Sequence, residues 1–162
     1  MSNQPAQRPS PWTPGHGVRP TAEQLRWLRA TYDAGEGFDD PTRGLVTGAR
    51  LFDVGYYWEA HEVWEAEWHE ARRVGDTRAE PLRGLILLAA VAVKARQGRT
   101  ARLGAMLRRC ASCLATHTCG LDTALDNVVT AALARVAAQP ALVEPIDFSP
   151  FQRPSAKLWC TE

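Results

Sequence analysis

Leu82-Arg83-Gly84-Leu85-Ile86-Leu87-Leu88-Ala89-Ala90-Val91-Ala92-Val93-Lys94-Ala95-Arg96 decides the fold. Leu85, Ile86, Leu87, Leu88, Val91 and Val93 cover the whole circumference of a helix, and a helix apolar all round must be surrounded by others. The run from Leu85 to Val93 is far short of the roughly 18 residues of a membrane span, so it reads as the centre of a bundle and no membrane partner is expected. Its successor is amphipathic, with Leu103, Leu107, Cys110 and Leu114 at spacings of four, three and four on one stripe.

Helix boundaries follow from caps and breakers on either side. Thr21 with Gln24 forms a capping box, Asp40 caps a helix with Pro41 at its first position, and Thr77 with Glu80 forms a second box ahead of Pro81. Asp122 caps a last helix, while Gly55, Gly75, Gly98 and Gly120 stand where helices should end. The pattern predicts six helices, at about 22–34, 41–53, 57–73, 78–96, 100–118 and 123–138. No segment alternates as a half-buried strand must. The predicted class is all-α: a compact orthogonal or antiparallel bundle around the apolar helix Leu82–Arg96, with a faint repeat of two helix–glycine–helix units turning at Gly55 and Gly98.

Prolines mark the ends of the domain. Of 11, five lie between Pro5 and Pro20 and four between Pro140 and Pro154, which sets the helical domain at 21–139. Residues 1–20 read as a flexible Pro-rich arm in which Trp12 alone has something to dock. Residues 140–162 read as a Pro-rich tail partly docked through Phe148, Phe151 and Trp159.

The 162 residues carry 19 Lys+Arg against 18 Asp+Glu, a net charge of +1, and this balance leaves no field to drive nucleic-acid binding. With 45% hydrophobic and 23% charged residues the chain can bury a real core. The N-terminus has no basic start leading into an apolar stretch, and the four cysteines form a cluster plus one tail residue rather than a disulfide framework, so a cytoplasmic protein with reduced thiols is expected. Charge is nevertheless divided by segment: Leu51 to Ala71 holds six acids and no Lys or Arg, whereas Pro81 to Leu121 holds seven basic residues and no acid. Docking of neighbouring helices of opposite sign explains this better than an anion site along Lys94, Arg96, Arg99 and Arg102.

Chemistry concentrates in Gly55-Tyr56-Tyr57-Trp58-Glu59-Ala60-His61-Glu62-Val63-Trp64-Glu65-Ala66-Glu67-Trp68-His69. His61, Glu65 and His69 lie at i, i+4 and i+8, next to Trp64 and Trp68 on the apolar side. Imidazole and carboxylates at helical spacing are also how bundles hold a divalent metal. His61-Glu62 lacks the second histidine of the zinc-protease helix, since Glu65 stands there, and a di-iron centre would need a second Glu-x-x-His helix. Two readings therefore stand side by side: a hydrogen-bonded structural His61–Glu65 pair under a tryptophan lid, or a small-molecule or metal site. Cys110, Cys113, His117 and Cys119 have zinc-like spacing, but Cys110 belongs to the apolar stripe, so the cluster reads as packing.

These residues also carry a resemblance. Leu51-Phe52, the aromatic-Glu-Ala-His-Glu core from Gly55 to Glu62 with Glu65 and Trp68, Arg83-Gly84-Leu85-Ile86 and Val93-Lys94-Ala95-Arg96-Gln97-Gly98 resemble the small helical proteins of the domain of unknown function 309. The resemblance spans roughly Leu45 to Leu114 and implies a compact all-α bundle without naming a reaction. Many such proteins carry glutamines near positions 83 and 87 and a histidine near 94, where this chain has Arg83, Leu87 and Lys94.

The expected site is Glu59, His61, Glu62 and Glu65, with Trp68, facing Arg83 and Lys94 of the central helix. As an enzyme it would use His61 as general base, Glu65 as its orienting carboxylate, and Arg83 or Lys94 to hold a small anionic substrate. No residue is assigned outright as a metal ligand and no cofactor is required, although the helix admits a divalent metal. The alternative is a non-enzymatic helical-hairpin module that binds a protein partner or forms a homodimer.

Overall fold

In a computed structural model, which describes residues 9–33, 40–99, 101–118 and 123–137, the chain forms six helices and, among those residues, no strand. They are α1 (Ala22–Tyr32), α2 (Asp40–Asp53), α3 (Tyr57–Val74), α4 (Ala79–Arg96), α5 (Leu103–Leu114) and α6 (Thr123–Ala137). The Thr21 capping box forms as expected, with Thr21 Oγ1 accepting from the Gln24 amide and Gln24 Oε1 from the Thr21 amide. Gly55 turns the chain between α2 and α3 at φ +88°, a conformation that a residue with a Cβ adopts only under strain.

The second capping box does not form. Asp76 takes over the start of α4: its carboxylate accepts the Arg78 amide and the Arg78 Nε, both at 2.8 Å, and the helix begins at Ala79. At the other end of that helix the turn is longer than expected. Arg102 sits at φ +69° and α5 starts only at Leu103, then ends at Leu114 rather than reaching 118. Cys119, Gly120, Asp122 and the tail with Phe148, Phe151, Trp159 and Cys160 lie outside the described residues.

α4 packs between α3 and α5, α2 covers the other side of α3, α6 touches α2, α4 and α5, and α1 rests on α2. Leu85, Leu88, Val91 and Val93 are buried as the sequence requires, while Ile86 and Leu87 are half-buried against the same core. The aromatic part of the core is Phe52, Tyr57 and Trp64, with Phe52 at 4.8 Å from the Tyr57 centroid and 5.9 Å from that of Trp64. α2 approaches α3 closely because Gly48 has no side chain: a Cβ there would lie 2.3 Å from Trp64 Nε1.

Residues 9–20, expected as part of a free arm, make defined contacts with the bundle. The Tyr56 hydroxyl donates to the Pro9 carbonyl at 2.5 Å, Gln97 Nε2 donates to the Pro14 carbonyl at 2.7 Å, and the Trp12 ring stands edge-on to Trp58 at 5.7 Å. Proline carbonyls can make these contacts because they are full hydrogen-bond acceptors even though the residue lacks an N–H.

Candidate functional site

α3 carries the site, and its local geometry follows from 3.6-residue periodicity. Trp64 and Ala60 turn into the core, which leaves His61, Glu62 and Glu65 together on the flank. The Nδ1 atom of His61 is 3.9 Å from Glu62 Oε1 and 3.9 Å from Glu65 Oε2. Those separations are too long for hydrogen bonds, so the expected hydrogen-bonded His61–Glu65 pair is not made. Instead the imidazole stacks on Trp58, with centroids 5.4 Å apart and planes 3° from parallel, and its Nδ1 is buried without a partner.

One donor atom from each of His61, Glu62 and Glu65 can be chosen so that all lie within 4.8 Å of one another. The imidazole is held by its indole neighbour, while the two carboxylates, at 40% and 42% side-chain exposure, are open to solvent. The arrangement is one fixed nitrogen facing two adjustable oxygens.

Glu59 lies apart from these three. It is 6% exposed, and neither carboxylate oxygen has a hydrogen-bond partner in another residue. Burial pushes its carboxyl up to about 7, against the pull of its own backbone amide and of Arg96, with Glu62 adding to the rise. Asp53, at the end of α2, is also buried and pushed up to about 7 by burial, despite its ion pair with Arg135 of α6.

The basic residues expected opposite the histidine, Arg83 and Lys94, both lie on α4. Arg83 pairs with Glu80 at 3.4 Å within the first turns of α4, because an i, i+3 partner lies closer than another helix. Lys94 is half-buried further along α4. Arg96 is the basic side chain of α4 that reaches α3: its Nη1 donates to the Gly55 carbonyl at 2.5 Å and its guanidinium lies 4.1 Å from the Tyr57 centroid. Trp68 sits further along α3, beside His69 and beneath the Arg72 guanidinium at 5.0 Å.

The cysteine cluster is occupied by other contacts. The Cys110 thiol is buried and donates to the Gly84 carbonyl at 3.2 Å, and His117 Nε2 lies 2.5 Å from Asp126 Oδ1, tying the segment after α5 to α6.

Residues 45–105 match the family model described as Domain of unknown function (DUF309). That segment of the chain is similar to the family. The DUF309 match covers most of α2, all of α3 and α4, and the start of α5, so it contains both the His61 cluster and Glu59. No curated protein and no solved structure matches the chain. Among the described residues, no helix is long and apolar enough to cross a membrane.

Proposed function

We propose that this protein binds a divalent cation on α3, with His61 Nδ1 and one oxygen each of Glu62 and Glu65 as ligands. The buried, partnerless Nδ1 held 3.9 Å from two carboxylates carries the reading. Ligands bonded at about 2.1 Å to one ion stand roughly 3–4 Å apart, so donors at this spacing leave an ion-sized gap rather than a hydrogen bond. One imidazole and two carboxylates suit Mn²⁺, Fe²⁺ or Zn²⁺ better than a soft thiolate-seeking ion. Three ligands leave coordination positions for water, which is the requirement for a Lewis-acid or hydrolytic centre. On this reading His61 and Glu65 act through the ion rather than as a base and its orienter, and any anionic substrate meets the cation instead of Arg83.

A protein-interaction module would need an exposed apolar face. The large hydrophobic side chains exposed among the described residues are Val18 and Val74, a small area beside what a docked helix covers.

The test is Mn²⁺ titration followed by electron paramagnetic resonance, since Mn²⁺ favours oxygen and imidazole over cysteine. The wild type should take up one Mn²⁺, and His61→Ala and Glu65→Gln should each weaken binding at least about tenfold while keeping the wild-type circular dichroism. Absence of stoichiometric binding, or equal binding by His61→Ala, overturns the proposal.

A further inference from the structure

Beside the cation cluster, α1, α3 and the docked segment 9–20 enclose a cavity of about 90 Å³. Its walls are Trp12, Trp58, Leu25, Leu28 and Leu51, and its acidic lining is Glu59 and Glu62. We infer that this cavity takes the head of a small aliphatic ammonium ion, held by Glu59 between Trp12 and Trp58. The inference does not depend on the Mn²⁺ reading.

Four observations lead there. A carboxylate 94% buried without a partner is a costly group to keep unless something neutralises it, and Glu59 has no guanidinium or ammonium hydrogen-bonded to it. Arg96, the nearest candidate on α4, is already engaged with the Gly55 carbonyl and the Tyr57 ring. Indole rings attract cations through their negative faces, and the cavity's own rim shows this: the Arg19 guanidinium lies 5.5 Å from the Trp12 centroid. Volume sets the ligand class. A cavity of about 150 Å³ admits benzene, so this one accepts an alkylammonium of a few carbons and excludes nucleotides and sugars. A bare divalent ion is the wrong occupant, because tryptophan and leucine walls supply no further oxygen ligands.

The charged groups facing Glu59 are Glu62 on α3, Arg96 from α4, Arg19 from the docked segment and Arg29 from α1, while α2 contributes the apolar Leu51. Arg19 and Arg29 at the rim favour amines that carry an anionic group at the far end.

Titration of the full chain with n-propylammonium chloride, read by tryptophan fluorescence and by saturation-transfer NMR, tests this. The wild type should show saturable binding at about pH 8, and none of comparable strength for 1-propanol. Glu59→Gln should lose at least about tenfold in affinity with its circular dichroism unchanged, whereas His61→Ala should retain propylammonium and lose Mn²⁺. If Glu59→Gln fails to fold, Trp12→Ala serves in its place and should weaken propylammonium binding severalfold. No saturable binding by the wild type, equal binding of 1-propanol, or undiminished affinity in Glu59→Gln or in a folded Trp12→Ala overturns the inference.

Discussion

The indole N–H of Trp64 on α3 donates to the carbonyl of Leu45 on α2 at 3.0 Å. This bond satisfies a donor in a fully buried side chain and draws a helical carbonyl of α2 toward the neighbouring helix. The indole can lie there only because the next turn of α2 presents Gly48.

Gly48→Ala should therefore destabilise the fold even though alanine is the better helix former. Its Cβ would stand 2.3 Å from Trp64 Nε1. Overpacking costs roughly 1–3 kcal/mol and the displaced hydrogen bond about 1 kcal/mol more, less the fraction regained in helix propensity. Urea unfolding should show a net loss of about 1–3 kcal/mol. A gain in stability would mean that α2 slides away from α3 without penalty.

Stability should fall as the solution is made more alkaline between about pH 4.5 and 7. Glu59 has its folded carboxyl raised from 4.5 to about 7, so within that window the folded state holds a proton that the unfolded state has released. Below the window both states are protonated and the effect vanishes. Above it the full penalty applies, at most roughly 3 kcal/mol at about 1.4 kcal/mol per unit. Glu59→Gln should raise stability at about pH 8 and leave it nearly unchanged at about pH 4, as measured by denaturation at both values. A variant equally stabilised at both would assign the effect to packing.

Trp12→Ala should cost about 1–2 kcal/mol, less than the roughly 3–5 kcal/mol typical of a core tryptophan. The ring is only half-buried, but it gives up its edge-to-face contact with Trp58 and exposes that neighbour. Deleting residues 1–20 should cost at least as much, since the Pro9 and Pro14 carbonyls go with it. A change in unfolding free energy within about 0.3 kcal/mol for the deletion would show that the segment adds nothing to stability.

Cys110 should resist alkylation in the native protein. Burial pushes its thiol up to about 12, with Cys113 contributing, and its hydrogen points at the Gly84 carbonyl. Peptide mapping after iodoacetamide at about pH 8 should find Cys110 unmodified until denaturant is added. Modification at the same rate with and without denaturant would place the thiol on an open surface.

The six helices were legible because local signals agreed with one another. The box at Thr21, the turns at Gly55 and Gly75, and the all-round apolar surface from Leu85 to Val93 each act within a few residues, and local chemistry suffices to read them. The clustering of His61, Glu62 and Glu65 was legible for the same reason, since one helix sets their spacing. What depends on other elements was not. Gly44 and Gly48 read as weak helix formers until a neighbour's Glu67 and Trp64 fill the space above them. Glu59 was expected in the site, but the cavity that the docked segment and α1 form over it could not be read from the spacing on α3. The Arg83–Glu80 pair was not anticipated, because a helix surface offers each long side chain a near partner on its own helix as well as a distant one. The Asp53–Arg135 pair joins positions 82 apart, a distance over which no spacing rule operates.

The docked segment also has a place in time. Tyr56 meets Pro9 across 47 positions and Gln97 meets Pro14 across 83. At about 5–20 residues per second, roughly 4–17 s of synthesis separate Pro14 from the residue that anchors it. Until Tyr56 and Trp58 have followed, the segment 9–20 has no partner in the bundle, and its attachment is complete only once Gln97 has been made. The indole-walled cavity therefore cannot exist before Trp12 meets Trp58, residues made well apart in time.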